Sequence, residues 1–133
     1  MSFISLTRLR IRSWRFLPMF FYYAVRTLSQ AKKAPGNVSA IVLNDANRVF
    51  WTMSVWTDEQ AMRAYMISGA HGKVMPKLME WCDEAATAHW TQESATAPSW
   101  PEAHQKLITL GRRSKVRHPS AAQEAFAIPT PRK

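Results

Sequence analysis

The chain has 133 residues, 47% of them apolar, with 18 basic and 9 acidic side chains and a net charge of +9. That length suits one domain with a modest core, and the apolar share is ordinary for a folded globular chain. A single cysteine, Cys82, excludes an internal disulfide and a cysteine metal cluster, and favours a cytoplasmic setting.

The charge is unevenly spread. Residues 1–35 carry seven basic groups and no acid, residues 36–105 four basic and eight acidic, and residues 106–133 seven basic and one acidic. The middle is therefore acidic and both ends are positive. Positive ends attract polyanions or anionic lipid in general. No zinc-finger spacing, glycine-rich RNA motif or aromatic–basic repeat points to specific nucleic-acid recognition.

Residues 3–11 alternate, with Phe3, Ser5, Thr7, Leu9 and Ile11 on one side and Ile4, Leu6, Arg8 and Arg10 on the other. This predicts a first strand. Residues 14–33 form the longest helical candidate, with Ser13 as a possible cap and Leu17, Phe21, Ala24, Leu28 and Ala31 at helical spacing. Its apolar run, 16–25, stops at Arg26, well short of the roughly 20 residues that cross a bilayer. No transmembrane segment is expected. Arg10, Arg12 and Arg15 precede the run, as basic residues do in a signal peptide or an interfacial helix. The alternating strand in front favours a core helix with basic ends.

A second strand is predicted over 38–43 and a tight turn over 43–48. Residues 49–56 are rich in β-branched and aromatic side chains, and both of their faces are apolar, so a central strand covered on two sides is predicted. Thr57 offers an N-cap for a helix over 58–67, with Gln60 in the reciprocal position. Residues 68–72 break that helix. A second piece follows over 73–81, with Pro76 read as its first-turn proline, and a last strand over 84–91, with Asp83 and Glu84 charging the turn before it. The order β-α-β-β-α-β predicts a ferredoxin-like α+β fold, a four-stranded antiparallel sheet with helices on one face. The open, apolar sheet face suggests a face-to-face homodimer closing a barrel. An added helix over 102–110 starts near Pro101 with Ser99 as cap. The expected division is a domain over 1–110 and a basic, extended or flexible tail over 111–133.

His71 is the first candidate for chemistry, because glycines at 69 and 72 flank a helix break that can leave an imidazole accessible. Tyr65, Trp56, Phe50 and Met75 are candidates to line one cavity with it, a phenol to orient a polar atom and rings to form apolar walls. His89 on the last strand is a second catalytic candidate. Each has a plain structural alternative, a capped helix end for His71 and core packing for the rest. His104 and His118 fall outside the core repeat. The histidines lack close paired spacing, so no metal site is expected. Glycine-rich phosphate loops and a G-x-S-x-G elbow are absent.

The stretch 50–71 resembles the antibiotic-biosynthesis-monooxygenase-like proteins of the dimeric α+β barrel superfamily. The resemblance rests on a strand ending in Trp56, the acidic start Asp58 and Glu59, then Tyr65, then Ser68 and His71. It is closer to an uncharacterised bacterial branch carrying S-G-A-H, M-P-K-L, W-C-D-E-A and A-H-W, which stand here at 68–71, 75–78, 81–85 and 88–90. It covers residues 3–110. It implies a homodimer joined through the sheet, and oxygenation of an apolar aromatic or phenolic substrate by molecular oxygen without a metal. His71, Tyr65 and His89 would be the working residues, and Phe50, Trp56 and Met75 the ligand wall. A binding or structural homodimer without turnover is the alternative. Haem-degrading relatives place a histidine where His71 stands, but their first-strand asparagine is replaced here by Ser5 and Thr7, which disfavours haem.

Overall fold

The computed structural model describes residues 1–131, so residues 132–133 of the expected tail lie outside the described residues. Strands β1 (Ser2–Ile11), β2 (Asn37–Asn44), β3 (Val49–Trp56), β4 (Cys82–Gln92) and β5 (Arg112–Arg113) form one sheet in the order β2-β3-β1-β4-β5. All its pairings are antiparallel. The helices are α1 (Leu17–Lys33), α2 (Glu59–Met66), α3 (Gly69–Trp81), α4 (Trp100–Leu110) and α5 (Ala121–Ala125). The ferredoxin-like topology expected from the sequence is present, with its second helix split into α2 and α3.

The period-two pattern of the strands sorts the side chains into two layers. On one face Ser5, Thr7, Leu9, Phe50, Thr52, Ser54, Thr87 and His89 meet residues of α1 and α3 around a cavity. On the other face Ile4, Leu6, Trp51, Met53, Val55, Ala86 and Ala88 form the main core. Trp51 anchors this layer at 0% exposure. Its indole N–H donates to Asp45 Oδ2 at 3.1 Å, so its polar atom is satisfied despite burial.

Several sequence expectations need correction. The second sheet face is not open, because Ala103 and Leu107 of α4, Trp100, and Phe126 and Ile128 of the tail all pack onto it. The free apolar face that motivates a barrel-closing dimer is thus covered by the chain itself. The N-cap of α2 is Asp58, whose carboxylate accepts from the Ala61 N–H, rather than Thr57. The Thr57 backbone N–H is instead directed to the Gly36 carbonyl. Because α3 begins at Gly69, Pro76 lies inside it and cannot donate to the Gly72 carbonyl. Asp83 and Glu84 sit within β4, where Arg10 and Arg8 of β1 pair with them. Glu84 also accepts from Ser120 Oγ at 2.9 Å, which ties the tail to the sheet. His104 is buried in α4 and bonded through Nε2 to the Ile128 carbonyl at 2.8 Å.

The tail differs most from expectation. Its described part folds back along β4 rather than extending. Gln123 is 8% exposed, and its side-chain amide pairs with both backbone groups of Ala85, as a neighbouring strand would. The basic, Pro- and Ser-containing composition hides these long-range contacts.

Candidate functional site

The cavity lies between the sheet and α1–α3 and has a volume of about 650 Å³, within the range of small-molecule sites. His71, Tyr65, His89, Phe50 and Met75 all border it. Trp56 does not. It is 0% exposed, donates its indole N–H to Ser54 Oγ at 2.8 Å, and packs tilted behind Tyr65 with ring centroids 5.2 Å apart. Five of the six candidates are therefore brought together, and the sixth supports one of them from behind. A second depression of about 660 Å³ beside Ala34, Gly36, Thr57 and Ala61 is more open and has no histidine on its border.

His71 stands in the first turn of α3. Its backbone N–H donates to Gln30 Oε1 at 3.0 Å, while Gln30 Nε2 donates to the Ser68 carbonyl at 2.8 Å. Gln30 of α1 thus clamps the start of α3. Gly69, at φ +53°, makes the clamp possible, because a Cβ there would come within 3.2 Å of the Gln30 amide. His71 Nδ1 is 3.0 Å from the Met66 carbonyl. A carbonyl only accepts, so Nδ1 carries the proton and Nε2 carries the lone pair. Nε2 has no hydrogen-bond partner among the described residues. Burial lowers the imidazole's proton affinity below the ordinary value, with the Met66 hydrogen bond opposing it. The ring is neutral at pH 7, a state suited to accepting a proton.

The Tyr65 ring packs 4.7 Å from the His71 ring, centroid to centroid. Its hydroxyl donates to the Thr27 carbonyl at 3.0 Å. Burial pushes the phenol up to about 12, with the Thr27 side chain opposing. Its proton is already committed to the backbone, so only the oxygen lone pairs remain for a ligand. His89 is exposed at the cavity border against Phe3, ring centroids 5.6 Å apart. Burial lowers its proton affinity, as do Arg63 and Arg112, while Glu59 opposes them. Cys82 is buried, its thiol pushed up to about 12 by burial and by Asp83, so it is an inert core group.

Gln30, Thr27 and Met66 hold the site together and carry no sequence signal of their own. Their roles arise from helix-to-helix distances. The tail residues Ser114, Lys115 and Val116 also border the cavity. Among the described residues no group of three His, Cys, Asp or Glu side chains is placed to hold a metal ion. No described helix is long and apolar enough to cross a membrane.

A ferredoxin-like sheet roofed by helices recurs, at a distance, in structures of the antibiotic-biosynthesis-monooxygenase-like superfamily. SnoaB, a cofactor-independent oxygenase from Streptomyces nogalater, superposes with a TM-score of 0.57 at 19% identity, over 74% of this chain and 98% of that one. A protein described as an antibiotic biosynthesis monooxygenase gives 0.61 at 8% identity, over 69% and 99%. Rv0793 from Mycobacterium tuberculosis gives 0.64 at 9% identity, over 73% and 100%. Identities this low establish a shared fold and nothing about the reaction. The chain belongs to the family described as a domain of unknown function (DUF3291), whose profile matches residues 25–131. No curated protein matches the sequence.

Proposed function

We propose that the cavity binds an apolar aromatic or phenolic molecule and that His71 Nε2 takes a proton from it, so that the resulting anion reduces molecular oxygen without a metal. The observation that carries this reading is a neutral imidazole, fixed in one tautomer by Met66, bordering an apolar cavity of about 650 Å³. With no external reductant, all four electrons taken up by dioxygen come from the substrate. A methylene carbon bearing two removable hydrogens satisfies the balance. It loses both hydrogens and gains a doubly bonded oxygen, so that one methylene and one dioxygen give one carbonyl and one water. The substrate is therefore a ring system with a methylene group acidified by its aromatic neighbours. Tyr65 and Phe50 wall the site, and Trp56 holds Tyr65 in place from behind. His89 is the second candidate base, placed nearer solvent.

Oxygen uptake with a phenolic ketone carrying such a methylene group tests this. One dioxygen consumed per product formed, abolished in His71→Ala while binding persists, is the expected result. Binding without uptake in the wild type would leave the second reading, a ligand-binding module without turnover. That reading is favoured by the Tyr65 hydroxyl, whose proton is spent on Thr27. A purely structural role with aromatics filling the volume is opposed by the cavity itself. Haem fits poorly: Nε2 of His71 could hold the iron, but the two haem propionates would meet one lysine among the residues bordering the cavity. For assembly, a homodimer through the sheet face would have to form over α4 rather than strand on strand.

A further inference from the structure

The cavity floor is polar in a pattern that core packing does not require. In register, Thr7 of β1 lies between Thr52 of β3 and Thr87 of β4. All three border the cavity, and their hydroxyls have no hydrogen-bond partner among the described residues. The three threonines are half-buried and their hydroxyls open onto the cavity, so the row offers unpaired donors and acceptors to a polar group lying on it. The roof opposite is apolar, with Phe20, Leu28 and Met66 at the border.

The cavity is also asymmetric in charge. Lys115 is the one charged residue on its border among the described residues, and no carboxylate borders it. The backbone around Lys115 is pinned on both sides. The Ser114 N–H donates to the Ala85 carbonyl at 2.8 Å and the Arg117 N–H to the Met79 carbonyl at 2.9 Å, so this strap spans from β4 to α3. Val116 packs with Phe20, Phe50 and Cys82 beneath it. Lys115 has no ion-pair partner among the described residues. Arg63 and Arg112, which add to burial in lowering the proton affinity of His89, extend the positive field to another part of the border, against Glu59.

We infer that the cavity selects a monoanionic ligand, an apolar ring system bearing one carboxylate that pairs with Lys115, with its other oxygens on the Thr7, Thr52 and Thr87 row. This rests on reading the cavity as a ligand site and narrows that reading. The tail strap then becomes a specificity element, which gives the basic C-terminal segment a role at the cavity.

Calorimetric titration with 4-hydroxy-1-naphthoate and with the neutral alcohol 4-(hydroxymethyl)-1-naphthol, which share a ring system and a phenolic oxygen for the threonine row, tests it. Wild type is expected to bind the carboxylate about threefold tighter than the alcohol, on the scale of an ion pair with an exposed lysine. That preference is expected to vanish in Lys115→Gln and to shrink in about 0.5 M salt, with alcohol binding unchanged. Thr7→Val is expected to weaken both ligands severalfold. Lys115 is exposed, so its replacement leaves the fold in place. Equal binding of the two ligands, or a preference that survives Lys115→Gln, overturns the anion selectivity and leaves the cavity reading standing. Failure of both ligands to bind at millimolar concentration overturns both.

Discussion

Replacing Gln123 with Ala tests whether the C-terminal segment is part of the folded unit. The side-chain amide accepts from the Ala85 N–H at 3.0 Å and donates to the Ala85 carbonyl at 3.1 Å and the Ser114 carbonyl at 2.9 Å. The substitution removes three hydrogen bonds, each worth about 1 kcal/mol net, and leaves the Ala85 N–H without its partner, at about 1–3 kcal/mol. These terms overlap, and roughly 2–4 kcal/mol of lost stability is expected. In guanidinium unfolding the midpoint is expected to fall with the slope unchanged. Amide exchange at Ser114 and Arg117, whose N–H groups bond to Ala85 and Met79, is expected to accelerate more than in β1 or β3. A loss under about 0.5 kcal/mol, the size of an ordinary surface substitution, or unchanged exchange at those two amides, would refute the docking of the tail.

Trp51→Ala is expected to cost about 3–5 kcal/mol in the same assay, as for large buried aromatics, whereas His71→Ala, losing one hydrogen bond to Met66, is expected to cost about 1 kcal/mol. His71 and His89 both hold protons less tightly in the fold than at the ordinary value near 6.5. The unfolded chain therefore binds more protons below 6.5, so their contribution is fully present above that pH and is lost as pH falls through the folded values. The unfolding midpoint is expected to be lower at about pH 5.5 than at about pH 7.5, and His71→Ala to flatten that dependence. Sedimentation equilibrium on the wild type and on a chain ending at residue 98 tests the covered sheet face. Removing α4 and the tail is expected to promote self-association, and an unchanged oligomeric state after truncation would show that the uncovered face does not drive dimerisation.

The strands are legible in the sequence because their side chains alternate, so Ile4, Leu6, Trp51 and Met53 announce one buried layer and Phe50 and Ser54 another. What lies against each layer is not legible. Ala103 and Leu107 mark α4 as amphipathic without giving its address, and only the folded chain places it on the face left free for a partner. The tail escapes sequence reading for a related reason. Gln123 is an ordinary surface residue by composition, and its burial depends on the backbone of Ala85, 38 positions away. At the site, the glycines around His71 signal the helix break, but they say nothing of Gln30, 41 positions earlier, which holds the His71 backbone. Trp56 reads as a cavity residue because a strand-end aromatic beside Tyr65 invites it. Its indole instead donates to the Ser54 hydroxyl and packs behind Tyr65, off the cavity border.

The proposed chemistry depends on one feature above all: a neutral His71 with its proton on Nδ1 and its lone pair on Nε2. Long-range proton–nitrogen NMR correlation of the histidine rings, with His71→Gln used for assignment, reads the tautomer and the titration together. The expected result is an Nδ1–H ring at pH 7 that titrates below 6.5, with the Nε2 signal shifting when a cavity ligand is added. An Nε2–H ring, or titration above 6.5, would contradict the site as described.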